Sequence, residues 1–94
     1  MLTYKAAYKL VEGVYRGEVL DFPGRVSFGP TLDEARRNLA GALYDMAETN
    51  LLRGEALPLP DASRSDPDAD LEEPIYLVIQ TGQYLSGNVR ATFP

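Results

Sequence analysis

The chain contains no cysteine and no histidine among its 94 residues. Without cysteine it can form neither a disulfide framework nor a thiolate metal site. Without histidine it lacks the commonest general base and the commonest metal ligand. We therefore expect no catalytic residues, no metal site and no cofactor, and a function that depends on binding.

Long apolar runs are also missing. No run approaches the roughly 18 residues of a membrane-spanning helix, and the N-terminus lacks the basic-then-apolar pattern of a signal peptide. The sequence thus predicts a soluble cytoplasmic protein with no membrane partner. A domain of this length buries only about 60–65% of its unfolded surface. A homo-oligomer, dimeric or higher, would bury more and is expected.

Negative charge is concentrated in one segment. Residues 61–74 hold six acids and a single base, Arg64, a sum of −5 that equals the net charge of the chain. The rest of the chain holds eight of the 14 acids and eight of the nine bases, so it is neutral. No basic face suited to phosphates stands out, which disfavours direct nucleic-acid binding.

The N-terminal part has the pattern of three strands. Apolar residues alternate through residues 2–10, a period of two that indicates a half-buried strand. Glu12-Gly13 predicts a tight turn, and residues 14–20 return as the second strand of a hairpin. Gly17 within that strand suggests a bulge or a close backbone approach. Residues 25–28 are β-rich and predict a third strand.

One amphipathic helix is predicted over residues 31–53. Thr31 and Glu34 have the spacing of a capping box, and apolar residues then recur at the spacing of one helical face. Gly41 costs about 1 kcal/mol relative to alanine, and we expect it to allow close packing on the sheet. Arg53-Gly54 is a typical C-terminal stop.

The elements predict an α+β fold. We expect a small antiparallel sheet in βββαβ order, with the main helix packed on one face. Residues 1–60 form the βββα core, and residues 61–74 form an acidic mobile loop. Residues 75–94 complete the same domain, with a buried strand at 75–81 and a β-prone tail around 86–88.

The stretch "EGVYRGEVLDFPGRVSFGPTLDEARRNLAGALYDMAETNLLRGEALPLP" resembles the HicB family, the antitoxins of HicA–HicB toxin–antitoxin pairs. The family pattern is a hairpin, an acid-apolar-Pro-Gly turn, a short strand ending in glycine, and a T-L-x-E-A helix closing on G-x-x-L-P. The resemblance covers residues 3 to 60. Its motifs here are Asp21-Phe22-Pro23-Gly24, Gly29, Thr31-Leu32-Asp33-Glu34-Ala35 and Gly54-Glu55-Ala56-Leu57-Pro58.

The resemblance implies a partial ribonuclease-H-like fold that acts by binding. HicB-like proteins commonly oligomerise and neutralise a HicA-like toxin, a small basic ribonuclease that cleaves mRNA and has a double-stranded-RNA-binding-domain fold. Many members add a C-terminal ribbon-helix-helix or helix-turn-helix domain. Too few residues follow the predicted fourth strand for either domain, so we expect no direct DNA binding.

Nine residues are candidate partner-binding residues. The partner-binding prediction comprises the turn, the adjoining strand edge and three acids of the predicted loop: Asp21, Phe22, Pro23, Gly24, Arg25, Phe28, Asp66, Asp68 and Asp70. Two simpler interpretations remain open. For the turn, the simpler interpretation is a rigid support with Phe22 in the core. For the acidic segment, it is a solvated linker.

Two other classes of function are an enzyme and a non-catalytic scaffold or ligand-binding domain. A two-metal nuclease needs several converging carboxylates, and a ribonuclease-H site takes its leading aspartate from the first strand. Residues 3–10 contain no acid, so an enzyme is not expected. The alternative to an antitoxin is a non-catalytic oligomeric scaffold or a small-ligand-binding regulatory domain.

Overall fold

A computed structural model describes residues 1–79 and 89–92, which form one sheet and one helix. The sheet has five antiparallel strands within these residues. In chain order the elements are β1 (Leu2–Val11), β2 (Val14–Val19), β3 (Val26–Gly29), α1 (Leu32–Leu52), β4 (Leu71–Ile79) and β5 (Val89–Thr92). The predicted α+β class is confirmed, and the predicted βββαβ order is present with β5 added after it.

Strand β1 lies at the centre of the sheet, whose order is β3-β2-β1-β4-β5. The hairpin from β1 to β2 turns through Glu12 and Gly13, whose φ angles of 51° and 82° are both positive. Such angles suit a two-residue turn that matches the twist of the strands, so the predicted turn is confirmed. β3 continues the meander as an edge strand.

Strand β4 pairs with β1, as expected of the predicted strand at 75–81, but it begins at Leu71. Leu71 lies opposite Tyr8 and Pro74 lies opposite Lys5. The predicted loop therefore ends four residues too late, because sheet pairing incorporates the acidic residues 71–74. Residues 80 and 81, and the tail positions 86–88, lie outside the described residues.

The two faces of the sheet differ in what covers them. The core joins α1 to residues of β1, β2 and β4, and its fully buried large side chains are Tyr4, Tyr8, Val19, Leu39, Leu43, Ile75 and Leu77. Alternation along the strands points the intervening side chains to the other side. We call that other side the open face.

The ends of α1 follow the predicted signals. Thr31 is the N-cap, and its Oγ1 accepts a hydrogen bond from the Glu34 backbone N–H at 3.2 Å. The helix ends at Leu52, and Gly54 follows with a φ of 71°, a conformation that glycine adopts easily. No helix in the described part of the chain has the length and apolar character needed to span a membrane.

Two glycines of regular elements have opposite surroundings. Gly17 lies opposite Tyr8 in a regular β1–β2 pair, and a Cβ built on it would lie 3.1 Å from the Tyr8 ring. The predicted close approach is thus made by an aromatic ring rather than by backbone. Gly41 is exposed, and a Cβ there would meet nothing within 4 Å. The expected close packing of Gly41 on the sheet is therefore wrong.

These surroundings predict opposite effects of the same substitution. Gly41→Ala should raise the free energy of unfolding by about 1 kcal/mol, because it removes backbone entropy from an exposed helix position. Gly17→Ala should lower it by roughly 1–3 kcal/mol through overpacking against Tyr8. Urea unfolding of both variants measures the difference. Equal effects of the two substitutions would contradict this account of the glycines.

Candidate functional site

The Asp21–Gly24 turn has a buried half and an exposed half. Asp21 and Phe22 are buried, whereas Pro23 and Gly24 are exposed. The Phe22 backbone N–H donates to the Val19 carbonyl at 2.9 Å, and Gly24 has a φ of 87°. The Gly24 N–H also donates to the Glu18 carboxylate at 3.3 Å. The turn is therefore rigid and presents only its second half to a partner.

Phe22 anchors the turn in the core. Its ring meets the Tyr4 ring edge to face, with centroids 5.3 Å apart and an interplanar angle of 71°. The Tyr4 hydroxyl donates to the Pro58 carbonyl at 2.7 Å, which ties the segment after α1 to β1. Burial raises the pKa of Tyr4 to about 12, and the neighbouring Asp21 carboxylate adds to the effect. Phe22 is thus a packing residue.

Asp21 carries a buried charge that the predicted loop neutralises. Its side chain is 3% exposed, and Oδ1 forms an ion pair with Nε of the half-exposed Arg64 at 2.9 Å. The Asp61 backbone N–H donates to Oδ2 at 3.3 Å. A buried carboxylate without such partners would be strongly destabilising. Asp21 therefore joins the turn to the acidic segment.

Residues 61–70 form what we call the anionic strap, which follows β1 along the open face. Lys5 Nζ donates to the carbonyls of Ala62 at 3.0 Å and Arg64 at 2.8 Å. At the other end, the Asp70 N–H donates to the Tyr8 carbonyl at 2.9 Å. Ala7 is only 5% exposed although alternation places it on the open face. The strap thus has fixed contacts with the sheet.

Most carboxylates of the strap and of β4 accept hydrogen bonds within the chain. Asp70 accepts from the Leu10 N–H at 2.7 Å, and Asp66 accepts from the Asp68 N–H at 3.0 Å. Glu72 accepts from the Asp66 N–H at 2.8 Å, which, with the Ser65 hydroxyl, holds the pKa of Glu72 below its usual range. Hydrogen bonds from Ser63 likewise lower the pKa of Asp61. These hydrogen bonds fix the backbone of the strap.

Asp68 differs from the other acids of the strap. It is exposed, and its carboxylate has no partner among the described residues. It is therefore the strap acid best placed to meet a partner without first breaking a contact within the chain.

Glu73 lies on the helix-facing side of β4 and binds α1. Arg36 donates to both of its carboxylate oxygens, from Nε at 2.7 Å and from Nη2 at 2.9 Å. The Tyr8 hydroxyl is buried nearby, and burial, followed by the Glu73 charge, raises the pKa of Tyr8. Glu73 therefore holds helix and sheet together and is not available to a partner.

The open face has an exposed apolar part beside the strap. Val14, Val26 and Phe28 are 38%, 37% and 52% exposed, and we call these three residues the apolar half of the open face. Arg16 and Glu18 lie opposite Phe28 and Val26 on the same face, so charged groups border these apolar side chains. The Phe28 carbonyl, at the sheet edge, accepts a hydrogen bond from Asn38 Nδ2 at 2.7 Å. This bond occupies one carbonyl of the β3 edge and so hinders the addition of a strand at that position.

A cleft of about 350 Å³ lies where the turn, the strap and β4 meet. Its walls combine apolar, acidic and basic groups from Thr3, Tyr4, Lys5, Asp21, Asp61, Ala62, Glu72, Glu73 and Pro74. Lys5 Nζ lies 3.6 Å from a Glu72 oxygen, so its charge is already paired. No group of three or more metal-ligating acids in the described ranges is arranged to hold a metal ion.

The predicted partner-binding residues thus separate into three groups. Asp21 and Phe22 are structural, Pro23 and Gly24 are exposed with the adjacent Arg25, and Phe28 lies on the edge strand. Asp66, Asp68 and Asp70 belong to the strap. Sequence reasoning missed the two cations that fasten the strap, Lys5 and Arg64. Arg64 did carry a signal, because it is the only base within residues 61–74.

Comparison with known proteins adds no relative. No family model, no curated protein and no solved structure matches this chain.

Phe22 and Phe28 form a matched pair for mutation. Phe22→Ala should lower the free energy of unfolding by about 3–5 kcal/mol, since it removes a buried ring from the core. Phe28→Ala, at a half-exposed position, should change it by less than about 0.5 kcal/mol. Chemical denaturation of both variants checks this. A large loss for Phe28→Ala would mean that this ring is part of the core.

Alkaline pH should destabilise the protein through Tyr4. In the unfolded chain Tyr4 loses its proton near pH 10, whereas in the folded protein it keeps it to about pH 12. Its contribution to stability is therefore fully present below pH 10 and is lost as the pH rises towards 12. Urea unfolding across this range measures the loss, and Tyr4→Phe should reduce the slope. A free energy of unfolding that stays constant over the range would contradict the prediction.

Proposed function

We propose that this chain is a HicB-like antitoxin that binds a small HicA-type mRNA interferase and covers its RNA-binding surface without altering RNA. The observation that carries the proposal is the anionic strap, held on one face between a rigid turn and the apolar half. The resemblance of residues 3 to 60 to the HicB family supports it independently.

An anionic surface suits this partner for an electrostatic reason. A ribonuclease must present cations to bind phosphates, and the strap presents carboxylates along one side of the open face. Hydrogen bonding within the strap leaves its charge in place, so the field that attracts a basic protein remains. Such a field raises the association rate more than it raises affinity, and salt weakens it.

Shape-specific contact would come from the groups beside the strap. Pro23, Gly24 and Arg25 are exposed on a rigid turn, and the half-exposed Phe28 ring offers an apolar anchor. Aromatic residues on fixed supports are common energetic centres of interfaces. In this proposal the turn and Phe28 limit dissociation, while Asp66, Asp68 and Asp70 speed association.

The remaining parts of the proposal follow from this mode of action. The protein acts in the cytoplasm, as a homo-oligomer, and is not an enzyme. Direct DNA binding is not part of this proposal, since the net charge of the chain is −5 and lies in residues 61–74. Its exposed apolar half is the kind of surface that further copies or partners cover.

A second candidate is a small-ligand-binding regulatory domain or oligomeric scaffold. The cleft of about 350 Å³ beside Lys5 and Asp21 favours it, because that volume is at the lower end of ligand pockets. Under this candidate the chain would bind no toxin, and occupancy of the cleft would control assembly.

The proposal is tested with a small basic HicA-type protein, taken from a reading frame adjacent to this gene if such a frame encodes one. RNA cleavage by that protein is measured alone and with increasing amounts of this chain. Stoichiometric inhibition, with the RNA recovered intact, supports the antitoxin function. Cleavage that continues at saturating amounts of this chain would contradict it and favour the second candidate.

The strap acids should set the association rate. Replacing Asp66, Asp68 and Asp70 together by asparagine keeps the hydrogen-bond acceptors that Leu10 N–H and Asp68 N–H use. The triple variant should therefore fold normally yet associate roughly tenfold more slowly at low salt. Stopped-flow kinetics over a series of NaCl concentrations measures this.

The control variant neutralises three exposed acids outside the strap, Asp33, Asp45 and Glu55. It removes the same charge from α1 and the segment after it and should change the rate far less. If both variants respond equally to salt, net charge alone governs association, and the strap is only a linker.

A further inference from the structure

The anionic strap lacks an apolar anchor of its own. Its only nonpolar side chains are Ala62, Pro67 and Ala69, of which the first two are exposed and the third is half-buried. Each polar contact that holds the strap contributes little net stability, since water offers equivalent hydrogen bonds. Ordering its backbone carries an entropic cost at every residue. A segment held in this way belongs to the part of a structure that opens first.

One contact of the strap differs from the others. The Arg64 guanidinium, 51% exposed, reaches a carboxylate that is 3% exposed. That carboxylate, on Asp21, sits at the start of the exposed turn and forms one wall of the cleft. Arg64 thus occupies a preformed anionic position with a group that solvent, or another protein, can reach from outside. The Asp61 N–H also reaches this carboxylate, and the other fastenings are hydrogen bonds of Lys5, Glu72 and Asp70.

We propose that the strap opens locally, independently of the sheet, and that a cationic side chain of a bound partner opens it by replacing Arg64 at Asp21. Arg64 then competes with the partner for Asp21. The apparent affinity for the partner equals the affinity of the open form multiplied by the fraction of molecules in which the strap is open. Opening would uncover Ala7 and release Lys5 from its two carbonyl partners. The second half of this inference rests on the proposed function, whereas local opening does not.

Local opening is tested by hydrogen exchange of the isolated protein. The amides of Asp66, Asp70 and Leu10 report on the strap, and the Leu20 amide, bonded to the Lys5 carbonyl at 3.0 Å, reports on the sheet. We expect strap amides to exchange at least tenfold faster than the Leu20 amide. Exchange of both sets at one rate would overturn local opening.

The Asp21–Arg64 pair is tested by a double-mutant cycle. Asp21→Asn removes the buried charge but keeps an acceptor, and should speed strap exchange roughly two- to fivefold while leaving the Leu20 amide unchanged. Arg64→Gln and the double variant complete the cycle. Arg37→Gln, at an exposed helix position, is the control. Strictly additive effects of the two substitutions would overturn the role of the pair.

Trypsin gives an independent measure of the same event. Cleavage after Arg64 requires the strap to leave the sheet, whereas cleavage after Arg37 requires α1 to unfold. Asp21→Asn should increase the ratio of the first rate to the second by the same factor as it increases exchange. An unchanged ratio would contradict the proposed fastening.

Replacement by an external cation is tested with a hexa-arginine peptide as the probe. The peptide should speed strap exchange in the unmodified chain and have no such effect in Asp21→Asn. Equal acceleration in both proteins would mean general screening and would overturn the replacement at Asp21. Neither of these two measurements contains a toxin. A negative result with the peptide is therefore distinguishable from a failure to inhibit RNA cleavage, which is the test of the proposed function.

Discussion

The buried carboxylate of Asp21 is the constraint on which the arrangement of the surface depends. A charge at this depth is tolerated only with partners, and the chain supplies them from the Arg64 guanidinium and the Asp61 N–H. These contacts bring a segment distant in sequence onto the end of β2. The turn is also anchored by its own Phe22, whose ring meets the Tyr4 ring edge to face in the core. Turn, strap and cleft are therefore consequences of satisfying one charge.

The same requirement divides the open face into two unlike parts. Over β1 the strap carries charge and is bonded to Lys5, whereas over β2 and β3 Phe28 and Val26 are exposed. A charged part attracts at a distance and is weakened by salt, while an apolar part acts only in contact. A binding protein benefits from having both side by side. Asn38, bonded to the Phe28 carbonyl, limits pairing through the β3 edge and so favours contact through this face.

Much of the fold could be predicted from local pattern, because its signals are local. The alternation in β1, the positive φ angles at Glu12-Gly13 and the Thr31 cap all depend on neighbouring residues. The start of β4 could not be predicted in this way. Residues 71–74 include two acids and a proline, and tertiary partners hold them in the sheet: Arg36 binds Glu73, and Asp66 N–H binds Glu72. The candidate site was also predicted only in part. The turn was identified from the sequence, whereas its ion-pair partner Arg64 was not.

A stable core and a weakly held strap are compatible because they are stabilised by different forces. The sheet and α1 bury large apolar side chains, whose stabilisation grows with the area removed from water. The strap adds none of these and depends on hydrogen bonds and ion pairs that water and salt compete for. Its loss would therefore leave most of the core intact, apart from the exposed charge of Asp21. Asp21 links the core and the strap. In the free protein its buried carboxylate requires the closed strap as a partner, and in the proposed open form the same carboxylate becomes a position that can bind a cation.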